Sequence, residues 1–330
     1  MPHVARRVPM ACKNGLTSVM DENNVKVNSV KAWLLAARPK TLAGAAVPVM
    51  TGVALAVARH GGEVRLVPAA LCLLFAFVMQ VDANFVNDYF DFMKGTDDET
   101  RLGPKRACAQ GWITAPAMRL GLLLTTAVAC LVGLPLVCYG GWEMILVGLA
   151  CVVFCFLYTI SFSYIGLGDV LVLVFFGLVP VSLTYWLSAP ESPLVSIPLA
   201  VVAMSLACGL VVDTLLVVNN YRDIDNDRRA GKRTLIVRIG ARGGRRLYLW
   251  LGIVACAGNI LLVGSGRAAH VCGGGSLSAL LPLLYLPFHV AAYREMVSIG
   301  KGAALNAVLG KTARNMFVFG LLTSLALILA

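Results

Sequence analysis

Two acidic segments of the chain have similar sequences, and each follows a long apolar run. The first, VNDYFDFMKGTDDE, covers residues 86–99, and the second, VNNYRDIDNDRR, covers residues 218–229. Of the 17 Asp and Glu residues, six lie between 82 and 99 and four more between 213 and 227. Most other segments between apolar runs contain one acid or none. This clustering indicates a shared chemical task more than two solvated loops.

The spacing within each segment places amide and carboxylate side chains together, because residues four apart share one face of a helix. Asn87 and Asp91 form such a pair. Asn219, Asp223 and Asp227 extend the pattern over two turns in the second segment. Clustered carboxylates repel one another unless a cation joins them, and these hard oxygen ligands suit Mg²⁺. Two such helix ends that face each other would hold one or two Mg²⁺ ions and, through them, a diphosphate; the alternative is a charged cap on each helix.

Basic residues surround both segments and are candidates for binding the diphosphate oxygens. Arg pairs with phosphate oxygens in a bidentate fashion, and Lys acts as a point charge. The alternative for any single one is an anchor at the inner membrane surface. The candidates are Lys94, Arg101, Arg106, Arg222, Arg228, Lys232 and Arg233.

The elements that must position these residues are membrane-spanning helices. The chain of 330 residues is 58% hydrophobic and only 14% charged, and its apolar runs are long enough to cross a hydrocarbon layer of about 30 Å. We therefore predict an all-α integral membrane protein. Its nine predicted spans are 41–58, 68–90, 117–138, 142–161, 169–187, 196–221, 247–265, 276–293 and 312–330.

The distribution of basic residues predicts the orientation of these spans. With the N-terminus inside, the inner segments contain 25 Lys and Arg residues, whereas the outer loops contain only Arg59, Arg65 and Arg267. This asymmetry follows the positive-inside rule, and it places both acidic segments in the cytoplasm and the C-terminus outside. It also accounts for the net charge of +11 without a nucleic-acid partner.

The remaining features indicate one membrane domain. Residues 1–30 contain no apolar core of a secretory signal, and we predict a flexible cytoplasmic tail followed by a single domain over 31–330. The ten cysteines are scattered, mostly within apolar spans, and form no disulfide framework. Cys151 and Cys155 share a helix face, and we expect them to pack as small hydrophobic residues.

Several motifs in this order resemble the UbiA superfamily of intramembrane aromatic prenyltransferases. The two acidic segments, with the RLGPKR and AGKRTL sequences that follow them, are similar to its two aspartate-rich motifs. AARPKTL at 36–42 is similar to the opening of its first helix, and residues 158–181 and 309–322 are similar to its helix 4–5 connection and its last helix. The resemblance covers about 31–330 and implies nine transmembrane helices around a central cavity.

Within the superfamily the details resemble most the branch that prenylates 1,4-dihydroxy-2-naphthoate. The resemblance implies that the chain uses Mg²⁺ and transfers a polyprenyl group from polyprenyl diphosphate to this acceptor in menaquinone biosynthesis, with loss of CO₂ and diphosphate. It also implies a bacterial cytoplasmic membrane as the location. Other acceptors, such as 4-hydroxybenzoate or homogentisate, remain open as an alternative. A cation transporter is a remote alternative, because both acidic segments end even-numbered spans and are therefore not inverted repeats.

The resemblance also has departures that bear on individual residues. Gly95 stands where the broader superfamily often has the last Asp of its first motif; this branch has an acid two residues further on, which Asp97 supplies. The ligand set therefore includes Asp97 or Asp98, and the choice between them is open. Asp169 stands where a Glu is expected.

A second group of residues is predicted to bind the acceptor or to face a carbocation. Arg38 and Lys40 could pair with the acceptor carboxylate, or they could be anchors. Asp82 and Asp213 lie about 14 Å deeper than the motif acids at 1.5 Å per residue, and they either face the acceptor or bind neighbouring helices. The candidates for acceptor binding are Arg38, Lys40, Gln80, Asn84 and Tyr158, and the candidates for aromatics facing a carbocation are Tyr89, Tyr158, Tyr164 and Tyr221.

Overall fold

The computed structural model describes residues 25–95, 101–190, 197–265 and 277–330. These residues form helices and connecting turns without a strand, which confirms the all-α prediction. The helices are α1 (Val30–Ala37), α2 (Leu42–Arg59), α3 (Leu66–Met93), α4 (Ala115–Gly140), α5 (Glu143–Ile165), α6 (Gly168–Ser188), α7 (Leu199–Arg222), α8 (Ile224–Arg229), α9 (Leu235–Gly264), α10 (Tyr285–Ile299) and α11 (Leu305–Ile328).

Seven of the predicted spans correspond to helices that are long and apolar enough to cross a membrane. The first of them runs from α1 through α2, and the others are α3, α4, α5, α6, α7 and α9. The last two predicted spans are also helical, as a 3₁₀ segment over Leu277–Leu284 that continues into α10, and as α11. The chain is therefore a multi-pass membrane protein, and the count of nine crossings stays a prediction.

Close backbone contacts hold the helices that carry the second acidic segment. α7 packs against α6 and α9, and α2 packs against α6 and α11. A Cβ on Gly177 of α6 would lie 2.9 Å from the Cα of Gly209 on α7 and 2.7 Å from the carbonyl oxygen of Ser205. Only glycine permits this approach, so the end of α7 has a fixed position relative to the start of α6.

Polar contacts inside the bundle link helices that are distant in sequence. His289 is fully buried, and its two ring nitrogens lie 2.9 Å from the Tyr285 hydroxyl and 3.2 Å from the Leu249 carbonyl oxygen. The Asn259 amide donates to the Thr323 hydroxyl at 2.6 Å. The eight cysteines among the described residues are free, in agreement with the prediction of no disulfide framework in that part of the chain.

A cavity of about 730 Å³ lies among α2, α3, α4, α5, α6 and α7. Most of its wall consists of apolar side chains, and its polar lining side chains include Asn87 on α3 and Asn219 on α7. The helices therefore surround a cavity to which both acidic segments contribute. Most of the predicted tail at 1–30, like Asp97 and Asp98, lies outside the described residues.

Candidate active site

The first acidic segment ends α3, and its acids have different partners. The Thr159 hydroxyl on α5 donates to Asn87 Oδ1 at 2.9 Å, and the Arg106 guanidinium lies 3.3 Å from Asp91 Oδ2. Asp88 is fully buried and accepts the backbone N–H groups of Ala107 and Cys108, both at 2.8 Å. Asn87 and Asp91 thus contact Thr159 and Arg106, which line the cavity, whereas Asp88 anchors the loop that follows α3.

The second acidic segment contains a break that the sequence pattern did not predict. Asp223 has non-helical backbone angles, so α7 ends at Arg222 and α8 begins at Ile224. The expected continuous stripe of Asn219, Asp223 and Asp227 is therefore interrupted at its middle residue. A backbone hydrogen bond from Asp227 N–H to the Asp223 carbonyl oxygen, 2.8 Å long, keeps the two acids one turn apart.

Arg222 organises the second segment and ties it to the loop after the first. Its guanidinium is buried and donates to both Asp223 carboxylate oxygens, at 2.9 and 2.5 Å, and to Asn219 Oδ1 at 2.7 Å. It also donates to Asn306 Oδ1 at 2.8 Å, and the Asn306 amide donates to the Leu102 carbonyl oxygen at 2.8 Å. Charge-assisted bonds of this kind are among the stronger ones in proteins, so the two segments are held in one network.

Asp227 and Tyr164 both lie near residues of the two acidic segments. Burial raises the pKa of the Asp227 carboxyl to about 6; Lys232 and Arg222 oppose the shift, and the carboxylates of Asp223 and Asp91 add to it. Asp91 belongs to the first segment, so Asp227 lies near enough to it for their charges to interact. The Tyr164 ring gives the same result, because Lys94 and Lys232 both lie over it, at 4.3 and 5.0 Å from the ring centroid.

The predicted basic residues differ in their surroundings: the cavity, the solvent, other protein groups or the motif acids. Arg101 and Arg106 line the cavity, and Arg101 also donates to the Pro104 carbonyl oxygen at 3.0 Å. Arg228 lies at the surface, 3.5 Å from Asp225, and Arg233 is exposed. Arg222 contacts protein atoms, as described above. The cavity itself therefore has two of the seven candidate cations in its wall, and Lys94 and Lys232 lie beside the acids.

Arg38 lies at the cavity in a backbone conformation that non-glycine residues rarely adopt. Its φ is 52° and its ψ is 66°, in the left-handed region. The Thr41 hydroxyl donates to the Arg38 carbonyl oxygen at 2.9 Å, and the Asn84 amide donates to the Ala37 carbonyl oxygen at 2.9 Å and to the Thr41 hydroxyl at 3.0 Å. Asn84 thus supports the turn that presents Arg38. Lys40 is exposed, whereas Gln80 and Tyr158 line the cavity.

The donors at this site fit Mg²⁺. Within the part of the chain that the structure describes, no three His, Cys, Asp or Glu side chains converge into a closed metal cluster. Mg²⁺ does not need one, because it usually binds one or two carboxylates together with waters and phosphate oxygens. Carboxylates from both segments around a partly open site match that requirement.

Comparison with known proteins identifies the family of this chain. The UbiA prenyltransferase family matches residues 45–328. A 1,4-dihydroxy-2-naphthoate octaprenyltransferase from Escherichia coli (strain K12) is 33% identical over 317 residues, which cover 92% of this chain and 97% of that protein. The chain belongs to the UbiA prenyltransferase family. A protein of the same description from Haemophilus influenzae is 38% identical over 235 residues, 68% of this chain and 75% of that protein.

The fold of this UbiA family member also matches solved structures. A UbiA homolog from Archaeoglobus fulgidus, bound to GPP and Mg²⁺, superposes with a TM-score of 0.59 and covers 90% of this chain and 99% of that chain. The sequence identity between the two is 14%, so this likeness concerns the fold. It agrees with the expectation of a helical bundle around a central cavity.

The deep acids of this family member have different surroundings from the motif acids. Asp82 is fully buried and accepts hydrogen bonds from the hydroxyls of Thr125 and Thr126 on α4, the latter at 3.0 Å. Of the two roles left open for it, the structure shows the bond between helices. Asp213 and Asp169 are also buried, and each has one carboxylate oxygen without a hydrogen-bond partner. Neither belongs to the cavity wall.

Sequence reasoning missed residues whose importance comes from distant partners. Thr159 orients Asn87, and Asn306 connects Arg222 to the loop after α3. Both are single polar residues without a motif of their own. A pattern within one sequence has no signal for them, because their partners lie more than seventy positions away.

Proposed function

We propose that this chain transfers a polyprenyl group from polyprenyl diphosphate to 1,4-dihydroxy-2-naphthoate, with loss of CO₂ and diphosphate, and so forms demethylmenaquinol, the reduced form of demethylmenaquinone. One observation carries the proposal: contacts through Tyr164 and Asn306 bring the ends of the two acidic segments together, and each segment contributes an Asn to the wall of a large apolar cavity inside a membrane protein. The names of the relatives at 33% and 38% identity support this acceptor.

The residues at the polar end of the cavity bind and orient the diphosphate. Asn87, Asp91, Asn219, Asp223 and Asp227 are the proposed ligands of Mg²⁺, with Asp97 or Asp98 completing the set. Mg²⁺, when bound, neutralises charge that develops on the leaving diphosphate. Arg101, Arg106, Lys94 and Lys232 share this task by direct contact with phosphate oxygens. The prenyl C–O bond breaks, its electron pair leaves with the diphosphate, and an allylic cation remains.

The cavity wall protects that cation until the acceptor reacts. Its side chains are mostly apolar, and they exclude water that would otherwise quench the cation. The naphthoate ring attacks through the carbon that bears the carboxylate, so a new C–C bond forms there. The bond to the carboxylate then breaks, CO₂ leaves, and its electron pair restores the aromatic ring. No external oxidant or reductant is required.

Arg38 is the proposed partner of the acceptor carboxylate. It lines the same cavity as Asn87 and Asn219, on a turn that Asn84 and Thr41 support. A guanidinium binds a carboxylate through two parallel hydrogen bonds and so fixes the orientation of the ring. Gln80 and Tyr158 are the proposed further contacts of the acceptor, since they also line the cavity.

The experiment that tests this function compares acceptors. Purified full-length protein with Mg²⁺ is given prenyl diphosphates of several chain lengths and one of 1,4-dihydroxy-2-naphthoate, 4-hydroxybenzoate or homogentisate. We expect a prenylated, decarboxylated product and released CO₂ only with the naphthoate. Transfer to another acceptor in preference to the naphthoate would replace the proposed acceptor and leave the prenyl transfer in place. Absence of transfer to all three would contradict the function.

A further inference from the structure

The Tyr164 ring contacts two lysines, one in the first acidic segment and one just after the second. The Nζ atoms of Lys94, at the end of α3, and Lys232, after α8, lie 4.3 and 5.0 Å from the Tyr164 ring centroid. We propose that Tyr164 is a positioning residue, whose ring holds these two ammonium groups together as a binding site for the diphosphate of the prenyl donor. The inference rests on the proposed function and goes beyond it, since an aromatic residue in the last turn of α5 would then set the geometry of both motifs.

Backbone contacts fix Tyr164 on the side of Lys232. The Tyr164 carbonyl oxygen accepts the Arg233 N–H at 2.8 Å, and Arg238 donates to the Ile165 carbonyl oxygen at 2.6 Å. Gly166 permits the close packing, because its φ is +81° and a Cβ there would lie 2.5 Å from the Arg233 carbonyl oxygen. The ring therefore has little freedom to move away from the segment that carries Lys232.

Lys94, from the first acidic segment, contacts the same end of α5. Its Nζ donates to the carbonyl oxygens of Ile160, at 2.8 Å, and Thr159, at 3.3 Å. These carbonyls belong to a π-helical turn over Tyr158–Phe162, a rare element that is frequent at functional sites. An ammonium has three donor hydrogens, so these two bonds leave capacity for an anionic oxygen.

The two ammonium groups form an arrangement that an anion would stabilise. Burial lowers the pKa of Lys94; Asp91 opposes this shift, and Lys232 adds to it. Lys232 therefore acts as a nearby like charge, and the electron-rich face of Tyr164 offsets the repulsion only in part. A group with several negative oxygens removes the repulsion and is attracted by both cations. Tyr164 was a candidate for facing a carbocation; its ring instead faces two protein cations.

The test compares two substitutions of Tyr164 in the purified full-length protein. The measurements are the Kd of inorganic pyrophosphate in the presence of Mg²⁺, and KM for the prenyl diphosphate and kcat in the transfer assay. We expect Tyr164→Leu to raise Kd and KM by about threefold to tenfold, the size of one to two cation–π contacts, with kcat close to that of the wild type. Tyr164→Phe retains the ring face, so we expect it to bind pyrophosphate as the wild type does.

Tyr293→Leu on α10 is a matched control outside the site, and it tests for a general loss of stability. Wild-type pyrophosphate affinity in Tyr164→Leu would overturn the inference, and so would a Tyr164→Phe variant as weak as Tyr164→Leu. If Tyr164→Leu does not fold, Lys94→Gln and Lys232→Gln replace it: we expect their combined effect on Kd to be smaller than the product of the single effects, and independent effects would overturn the inference. A wild-type protein that neither binds pyrophosphate nor transfers the prenyl group would instead contradict the proposed function.

Discussion

At the scale of single residues, the partners of each acid determine its task. Asp88 and Asp91 are three positions apart on α3, yet Asp88 accepts two backbone N–H groups of the following loop, whereas Asp91 lies beside a guanidinium at the site. The first acid stabilises the fold, and we propose that the second binds a metal ion. Composition alone does not distinguish these two carboxylates.

This difference predicts that substitution of Asp88 mainly lowers stability, whereas substitution of Asp91 mainly weakens binding. Asp88→Ala removes two charge-assisted hydrogen bonds and leaves buried N–H groups without partners, so we expect it to cost about 2–3 kcal/mol of stability. Asp91→Asn keeps the shape of the side chain and an oxygen that can accept from Arg106, so we expect a smaller loss of stability than in Asp88→Ala, and binding of Mg²⁺ with pyrophosphate that is at least about tenfold weaker. Thermal unfolding and titration calorimetry check the two effects, and equal unfolding midpoints for both variants would contradict the assignment.

The proposed role of Arg38 gives a second prediction at this scale. If its guanidinium binds the acceptor carboxylate, Arg38→Ala raises KM for the naphthoate by roughly tenfold or more, the size of a hydrogen bond to a charged group. The matched measurement uses naphthalene-1,4-diol, which lacks the carboxylate. We expect this analogue to bind equally well to the wild type and to Arg38→Ala when its binding is measured directly. An equal loss of affinity for the analogue and the naphthoate would contradict the proposed role of Arg38.

At the scale of elements, close helix packing places the second motif. α6 and α7 meet at Gly177 and Gly209, where any side chain would collide with backbone atoms. α6 begins at Gly168, a few residues after Tyr164 at the end of α5, and α7 ends at Arg222. A change in the contact between α6 and α7 would therefore alter the relative position of the residues that surround the site.

Gly177→Val tests this packing. The new side chain meets the Ser205 carbonyl oxygen and the Gly209 backbone, so we expect a loss of about 1–3 kcal/mol from overpacking and a lower rate of transfer. Gly258→Ala on α9 is the control, because no atom lies within 4 Å of its added Cβ, and we expect its stability to match or slightly exceed that of the wild type. A Gly177→Val protein with the stability of the control would show that the contact is unimportant.

The same elements show what could be predicted from the sequence. Apolar runs predicted nine spans, and seven of them correspond to helices that could cross the membrane among the described residues, because a run of about 20 apolar residues has few alternatives to a helix. Spacing four residues apart predicted that Asn87 and Asp91 share one face of a helix, and both lie in the continuous helix α3. The break at Asp223, the anchoring by Asp88 and the bridge through Asn306 depend on contacts between distant parts of the chain, and no local pattern encodes those contacts.

At the scale of the whole molecule, most charged residues lie on one predicted side of the membrane. Of the 28 Lys and Arg residues, 25 lie in segments on the predicted inner side, together with both acidic motifs. We propose that the diphosphate end of the prenyl donor enters the cavity from the cytoplasmic side. We also propose that the protein crosses the membrane nine times. A lipid-soluble prenyl chain and a water-soluble acceptor then meet at one membrane surface.

Topology reporters test this orientation. Nine crossings with the N-terminus inside place Ala330 outside, so we expect a phosphatase fused there to be active and a fluorescent protein fused there to be dark. A fusion within residues 222–234 gives the reverse result. Fluorescence from reporters at both places would mean an even number of crossings between them and would contradict the three crossings that we predict there.

We propose that the ends of α3 and α7 bind one diphosphate as a unit, and calorimetric titration of Mg²⁺ and pyrophosphate into purified protein measures this binding. The proteins to compare are the wild type, Asp91→Asn, Asp223→Asn and the double variant. We expect one pyrophosphate per chain in the wild type, binding at least about tenfold weaker in each single variant, and little further loss in the double variant, because residues that act as a unit are not additive. Normal binding in either single variant, or independent losses that multiply in the double variant, would contradict it.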